Sequence, residues 1–217
     1  QDHKRAYDDD KGPNTGGMGV YSPVPFVTNE ELSQMIAIEQ RVVDQLKKEG
    51  INYSGCLYGG FMLTKDGPKV LEFNARFGDP ETQVVLPRLQ GDLVSILMAC
   101  DNGTLRHQQV SWSDTVAVSV VLASAGYPGS YEKGKEITGI EAAQQLEGVS
   151  VYHAGTAQTE DGKIVTAGGR VLNVTALAPT FEEARARAYE ACGLINFEGK
   201  QLRHDIGLKA LQGRPEK

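Results

Sequence analysis

A chain of 217 residues with 40% hydrophobic and 23% charged residues has ordinary globular composition, enough for one large domain or two small ones. A net charge of -6, with no Lys/Arg run longer than two residues, lacks the basic footprint of a nucleic-acid binder, so no nucleic-acid partner is expected. No apolar run approaches the roughly 18–20 residues of a membrane span, and three scattered cysteines form neither a disulfide framework nor a zinc pattern, as expected of a reducing, cytoplasmic compartment.

The first residues, Gln1-Asp2-His3-Lys4-Arg5, are not a signal peptide and lack an initiator Met, so the chain is expected to begin inside a longer protein. Residues 1–27 show little periodicity and read as one long ordered loop around Gly12, Gly16, Gly17 and Gly19, with Met18, Val20, Tyr21 and Phe26 to bury. A Thr28-x-x-Glu31 capping box then opens a helix with Leu32, Met35, Ile36, Val42, Val43 and Leu46 on one face, stopped at Gly50. Two strands follow, Cys56 to Leu63 and Lys69 to Asn74, joined at Asp66-Gly67. Helical stretches are expected over about 81–88 and 92–100, and the polar segment 103–112 marks a boundary, dividing the chain into domains 1–107 and 108–217.

The second part reads as a strand over 116–122, a turn at Gly126-Tyr127-Pro128-Gly129, and strands over 149–159 and 164–176 joined at Asp161-Gly162. A second capping box, Thr180 with Glu183, opens a helix with Phe181, Ala184, Ala188 and Cys192 on one face. Cys56, Cys100 and Cys192 lie on apolar patterns and are expected in the core, and His3 and His153 are read as structural imidazoles. The tail, Gly213 to Lys217, reads equally as linker or terminus.

The segment that carries chemistry is Val70-Leu71-Glu72-Phe73-Asn74-Ala75-Arg76-Phe77-Gly78-Asp79-Pro80-Glu81. Side chains alternate on a strand, so Glu72 and Asn74 share a face while Leu71 and Phe73 are expected to point into the core. A carboxylate and a carboxamide oxygen two residues apart form a hard-oxygen pair suited to Mg²⁺, which takes few protein ligands and completes its shell with water and phosphate. Arg76 falls at the next same-face position if the strand continues, where its guanidinium could bridge phosphate or carboxylate oxygens. The plain alternative is an edge strand with a polar solvent face.

Beyond this spacing, the segment resembles the metal-binding strand of the ATP-grasp superfamily, and the string Glu72-Phe73-Asn74-x-Arg76-Phe77-Gly78-Asp79-Pro80-Glu81 resembles the phosphoribosylamine–glycine ligase family. Further matching stretches follow in the family's order: Gln1 to Arg5, Gly12 to Gly19, Gly126 to Gly129, His153 to Thr156, Gly168 to Leu172 and Asp205 to Gly207. The resemblance implies an α+β chain: the C-terminal part of an ATP-grasp domain, an antiparallel sheet with helices, followed by a small mostly-β domain with a packed helix. It implies ATP-dependent joining of glycine to 5-phosphoribosylamine through a glycyl phosphate.

By matching positions, Glu72 and Asn74 would hold Mg²⁺ or Mn²⁺ on the ATP phosphates, and Arg76 and Asp2 are the catalytic candidates. Asn14, Thr15, Gly16, Gly17, Asp79, Lys4 and Arg170 are the substrate-binding candidates. The Gly12–Gly19 loop could bring its amides close to an anion, with glycine or the ribose phosphate as guest; a purely structural loop is the alternative. Asp2 could hold an ammonium group, and Lys4 and Arg5 could meet phosphate. The groups that grip adenine would lie upstream, so the chain is expected to be inactive alone, completed by the enzyme's N-terminal half or carried in a multifunctional purine-pathway polypeptide. Two other readings remain: a different ATP-grasp carboxylate–amine ligase, and a non-catalytic interaction module, for which Glu72, Asn74 and Arg76 would have no physical purpose.

Overall fold

The computed structural model describes residues 1–214; the last three residues of the tail lie outside them. The chain forms two compact units, each assembled from more than one stretch of the chain. One comprises Gln1–Pro25, Asp79–Arg88 and the chain from Ser113 onward; the other comprises Phe26–Gly78 and Leu89–Trp112.

In chain order, the elements begin with β1 (Arg5–Tyr7), a 3-10 turn at Asp8–Asp10, β2 (Lys11–Asn14) and β3 (Gly19–Ser22), where an unbroken loop is expected. Next come α1 (Asn29–Lys48), β4 (Tyr58–Thr64), β5 (Gly67–Asn74), α2 (Thr82–Val85) and β6 (Leu89–Gln90). Then follow α3 (Leu93–Asp101), β7 (Ser111–Trp112), β8 (Val116–Ser124), α4 (Ile140–Gln144), β9 (Val149–His153) and β10 (Thr156–Gln158). The chain closes with β11 (Ile164–Thr166), β12 (Arg170–Ala178), α5 (Phe181–Leu194), β13 (Lys200–Gln201) and α6 (Leu208–Gln212).

The first unit is organised by β8, whose nine residues are all buried. A strand rich in β-branched side chains, apolar on both faces, belongs at the centre of a sheet with both faces covered. Antiparallel β12 lines one edge of β8 and carries β9 beyond it; β3 and β13 share the other edge, pairing with 117–120 and 123–124 respectively. α5 covers the sheet with Ala184, Ala188, Ala191 and Cys192, small residues that let helix and sheet approach closely. Its N-cap, Thr180, accepts from the Glu183 amide. Inside the sheet, Thr175 donates to Ser119 at 2.8 Å, satisfying two buried hydroxyls.

The long strands expected over 149–159 and 164–176 are each split in two. Gly155 and Gly168 cross backbone on backbone at the split: a Cβ at Gly155 would come within 2.6 Å of the Gly168 Cα. Only glycine permits that approach.

A second anchor is Arg203, whose side chain is 0% exposed. Its guanidinium donates to Asp205 at 2.7 and 2.6 Å, to Asp10 at 3.1 Å and to the Arg5 carbonyl at 3.0 Å. Burial alone would raise the Asp205 pKa, but the Arg203 hydrogen bonds and charge outweigh it and hold that carboxyl at about 2. The network ties β1 and the turn after it to the segment before α6.

In the second unit, α1 carries the full reciprocal box between Thr28 and Glu31. β4 and β5 form an antiparallel hairpin whose tip falls at Lys65-Asp66, with Gly67 (φ 88°) opening the return strand. Asp92 caps α3 by accepting from the Val94 amide. Yet no residue of α1 is buried, and the expected core residues of β5 are open: Leu71 is 63% exposed and Phe73 39%. The amphipathic patterns are present, but among the described residues they are covered only in part, with Met35, Ile38, Val42 and Leu46 of α1 half-buried. Cys192 is buried as expected, whereas Cys56 and Cys100 are only half-buried.

Candidate functional site

On β5 the pairing is regular where it matters. Glu72 opposes Gly60, Phe73 opposes Gly59 and Asn74 opposes Tyr58; the register shifts just beyond them, where β5 carries Leu71 as an extra residue against the Gly60–Phe61 step of β4. Glu72 and Asn74 therefore project from one face of the hairpin. Gly60 keeps that face low: a Cβ there would touch the Glu72 Cγ at 3.2 Å. The opposite face, at Gly59, meets Glu39 of α1. Glu72 is exposed and Asn74 half-buried, so two oxygen donors stand side by side on an open surface. No group of three or more His, Cys, Asp or Glu side chains that could hold a metal occurs among the described residues. A two-oxygen set that leaves the remaining positions to phosphate and water fits Mg²⁺ better than a caged ion.

Arg76 does not extend this face. β5 ends at Asn74, and the Arg76 guanidinium donates to the Phe77 carbonyl at 3.0 Å in the bend that follows. The turn toward Asp79 breaks the alternation before Arg76 is reached.

The other candidates gather in the first unit. Residues 1–3 run antiparallel to β3, with Asp2 opposite Val20. Asp2 lies beneath the glycine loop with its side chain 11% exposed, and Lys4 Nζ sits 2.6 Å from its Oδ2. Oδ1 has no hydrogen-bond partner among the described residues. Burial raises the Asp2 pKa, Lys4 opposes the rise, Glu81 adds to it, and the carboxyl settles at about 6. Glu81 approaches Lys4 at 3.9 Å, making a carboxylate–ammonium–carboxylate row that sequence reasoning missed, although Glu81 closes the quoted motif.

The loop is held from several sides. Thr15 donates through its amide and hydroxyl to the Lys4 carbonyl, at 2.7 and 2.8 Å, and its hydroxyl accepts from the Gly17 amide at 3.0 Å. Gly17 (φ 121°) leaves no room for a side chain, because a Cβ would lie 2.6 Å from Pro80 and 2.7 Å from Asp2 Oδ1. Asn14 accepts from Arg5 at 3.5 Å across β1 and β2. Arg170, at the start of β12, donates to the carbonyls of Gly16 and Asp79 at 3.1 and 2.7 Å, with the Asp79 carboxylate at 3.6 Å. It joins the loop to the Asp79 turn.

The Gly16 amide donates to the Tyr127 hydroxyl at 3.0 Å. Tyr127 belongs to the Gly126–Gly129 turn, to which sequence reasoning assigned no role. Because the amides of Gly16 and Gly17 are both engaged within the protein, they are not the open anion cradle that the glycine pattern suggests. His3 is buried, its Nδ1 bonded to the Gly19 carbonyl at 3.0 Å, and burial followed by the Arg203 charge lowers it to about 4, a neutral structural imidazole. The His153 Nδ1 bonds the Thr156 hydroxyl at 2.9 Å.

Comparison with known proteins now adds to this geometry. Residues 1–82 match the family model of the phosphoribosylglycinamide synthetase ATP-grasp (A) domain, and residues 117–209 match that of its C domain. The chain belongs to the phosphoribosylglycinamide synthetase family. A phosphoribosylamine–glycine ligase of Caldanaerobacter subterraneus is 52% identical over 94% of this chain and 48% of its own length. A trifunctional purine biosynthetic protein of Gallus gallus is 53% identical over 97% of this chain and 21% of its own.

Among solved structures, the phosphoribosylamine–glycine ligase of Thermotoga maritima superposes with a TM-score of 0.80 at 40% identity, covering 94% of this chain and 50% of that one. The biotin carboxylase domain of a thermophilic 2-oxoglutarate carboxylase, 18% identical with a TM-score of 0.61 over 85% of this chain and 41% of its own, shares the fold alone. The chain thus spans about half the length of its single-activity relatives and about a fifth of the trifunctional one. Its fold is α+β with antiparallel sheets, in the ATP-grasp class.

Proposed function

We propose that this chain supplies the metal-binding strand and substrate-side groups of an ATP-dependent phosphoribosylamine–glycine ligase working in purine biosynthesis. The observation that carries the reading is the pairing of Glu72 and Asn74 on one open face of the hairpin, within a chain of this family. In the reaction, an oxygen of glycine's carboxylate attacks the γ-phosphorus of ATP, and the bond to ADP breaks. The amine of 5-phosphoribosylamine then attacks the acyl carbon of the glycyl phosphate, phosphate leaves, and the nitrogen gives up a proton.

Glu72 and Asn74 would hold Mg²⁺ or Mn²⁺, which offsets charge on the transferring phosphoryl group when bound. Arg76 serves as a phosphate contact. Asp2, with its pKa near neutrality and a free Oδ1, is suited to hold an ammonium group or accept the proton of an attacking amine. Lys4 balances the Asp2–Glu81 pair, Arg170 and Asp79 fix the loop 14–17 that borders the substrate, and Asn14 and Thr15 shape its approach. Cytoplasmic localisation accompanies this reading. No helix among the described residues is long and apolar enough to cross a membrane.

The test is turnover by a full-length protein carrying this chain. ADP release should require both glycine and phosphoribosylamine, and other small carboxylates should replace glycine poorly. Release driven equally well by another acid would transfer the reading to a different ATP-grasp ligase.

A further inference from the structure

Gly16 sits in an unusual position for a loop glycine. Its amide donates to the Tyr127 hydroxyl at 3.0 Å, and its carbonyl accepts from Arg170 at 3.1 Å. The Arg170 guanidinium also lies flat on the residue, for a Cβ at Gly16 would be 2.9 Å from its Cζ. The phenol is held as firmly. Ser124 receives the Tyr127 amide at 3.1 Å and itself donates, through its own amide and hydroxyl, to the carbonyls of Gly169 and Gly168. The Tyr127 ring lies against Gly169, where any Cβ would clash with it, and Tyr131 meets it edge-on at 6.4 Å between ring centroids.

A hydroxyl that accepts from an amide keeps its own proton to donate. The Tyr127 O–H has no acceptor among the described residues, whereas the Gly16 and Gly17 amides are both spent. The donor expected of the glycine loop has been passed outward to the phenol, polarised by the amide behind it.

We propose that Tyr127 binds an oxyanion of a substrate, its phenol O–H standing in for the amide of Gly16 that it caps. The inference rests on the ligase reading for the identity of the guest: either the carboxylate of glycine or the phosphate of phosphoribosylamine, which offer the same acceptor chemistry. Phenylalanine would keep the ring that packs on Gly169 and remove only the hydroxyl.

In a full-length protein, Tyr127→Phe should raise the KM for one of those two substrates about 10-fold or more, the worth of one hydrogen bond to a charged group. The KM for ATP and the melting temperature should hardly move, and Tyr131→Phe should leave all constants near wild type. The substrate whose KM rises identifies the oxyanion. Unchanged KM values, or a fall in melting temperature with every constant degraded together, would overturn the assignment.

A second measurement needs no turnover, so failure of the ligase reading does not mask the result. The Gly16 amide resonance of the protein is followed during titration with glycine and, separately, with inorganic phosphate. It should shift with one of them in the wild type and not in Tyr127→Phe; no shift with either, or the same shift in both proteins, counts against the proposal.

Discussion

α1 and α5 begin alike and end up in opposite circumstances. Each follows a Thr-x-x-Glu sequence, each Thr accepts from the Glu amide, and each has an apolar stripe. α5 buries Ala184, Ala188, Ala191 and Cys192 against the sheet centred on β8, whereas α1 buries no residue fully and leaves Met35, Ile38, Val42 and Leu46 half-buried. The same contrast separates the strands: β8 is buried throughout, but β5 leaves Leu71 exposed beside Glu72. Local chemistry decides that an element forms; burial depends on whether a partner surface exists. Stability should therefore reside around β8, and chemistry on the open face of β5.

The largest effect that would break this division is on activity. Glu72→Ala in a full-length protein should lower kcat/KM by about 10²–10³-fold, the scale of losing one group that stabilises transition-state charge. Because Glu72 is exposed, the melting temperature should stay near wild type. Steady-state kinetics beside a thermal melt checks both; a large loss of stability would mean Glu72 is structural.

Next comes the core. Leu172→Ala, at a fully buried position on β12, should cost about 2–5 kcal/mol, while Leu71→Ala should fall within about 0.5 kcal/mol in this chain. Urea unfolding of the two variants measures the gap, and similar losses would show that Leu71 finds a partner in solution.

The sequence made α1, α5, the β4–β5 hairpin and β8 legible because each carries its signal locally: a cap, a period or a turn. It hid β3 because its strand character comes from β8 about a hundred residues later, and it hid β1 and β2 because these short strands pair only with each other and carry no apolar alternation. It hid the breaks at 154–155 and 167–169 because only the folded chain brings Gly155 onto Gly168. The shared face of Glu72 and Asn74 was readable from strand alternation. The grip of Arg170 and Tyr127 on Gly16 was not, since nothing local to Gly16 announces a guanidinium from residue 170 or a phenol from residue 127.

Smaller effects sharpen the comparison through pH. The Asp205 carboxyl, held at about 2 against an ordinary 3.8, binds its proton less readily folded than unfolded. It therefore contributes stability that is complete above about pH 4 and is lost as pH falls toward 2. Asp205→Asn should cost about 1–3 kcal/mol at neutral pH and flatten the acid limb of a stability–pH curve.

Asp2 has the opposite sign. Raised to about 6, it favours the folded state most when protonated, below about pH 4, and that contribution disappears as pH rises through 6. Asp2→Asn, which imitates the protonated form, should raise the melting temperature at pH 8 by roughly 2–4 °C per kcal/mol relieved, while suppressing turnover. A lower melting temperature would show that the Lys4 pair outweighs the cost of burying the charge.

The most direct test is paramagnetic broadening by Mn²⁺ in the presence of ATP, read from the backbone amides of the hairpin. The amides of Gly60, Glu72 and Asn74 should broaden first, and Glu72→Ala should abolish the effect. Broadening elsewhere, or broadening at the hairpin that survives Glu72→Ala, would contradict the assignment of Glu72 and Asn74 as the metal-holding pair.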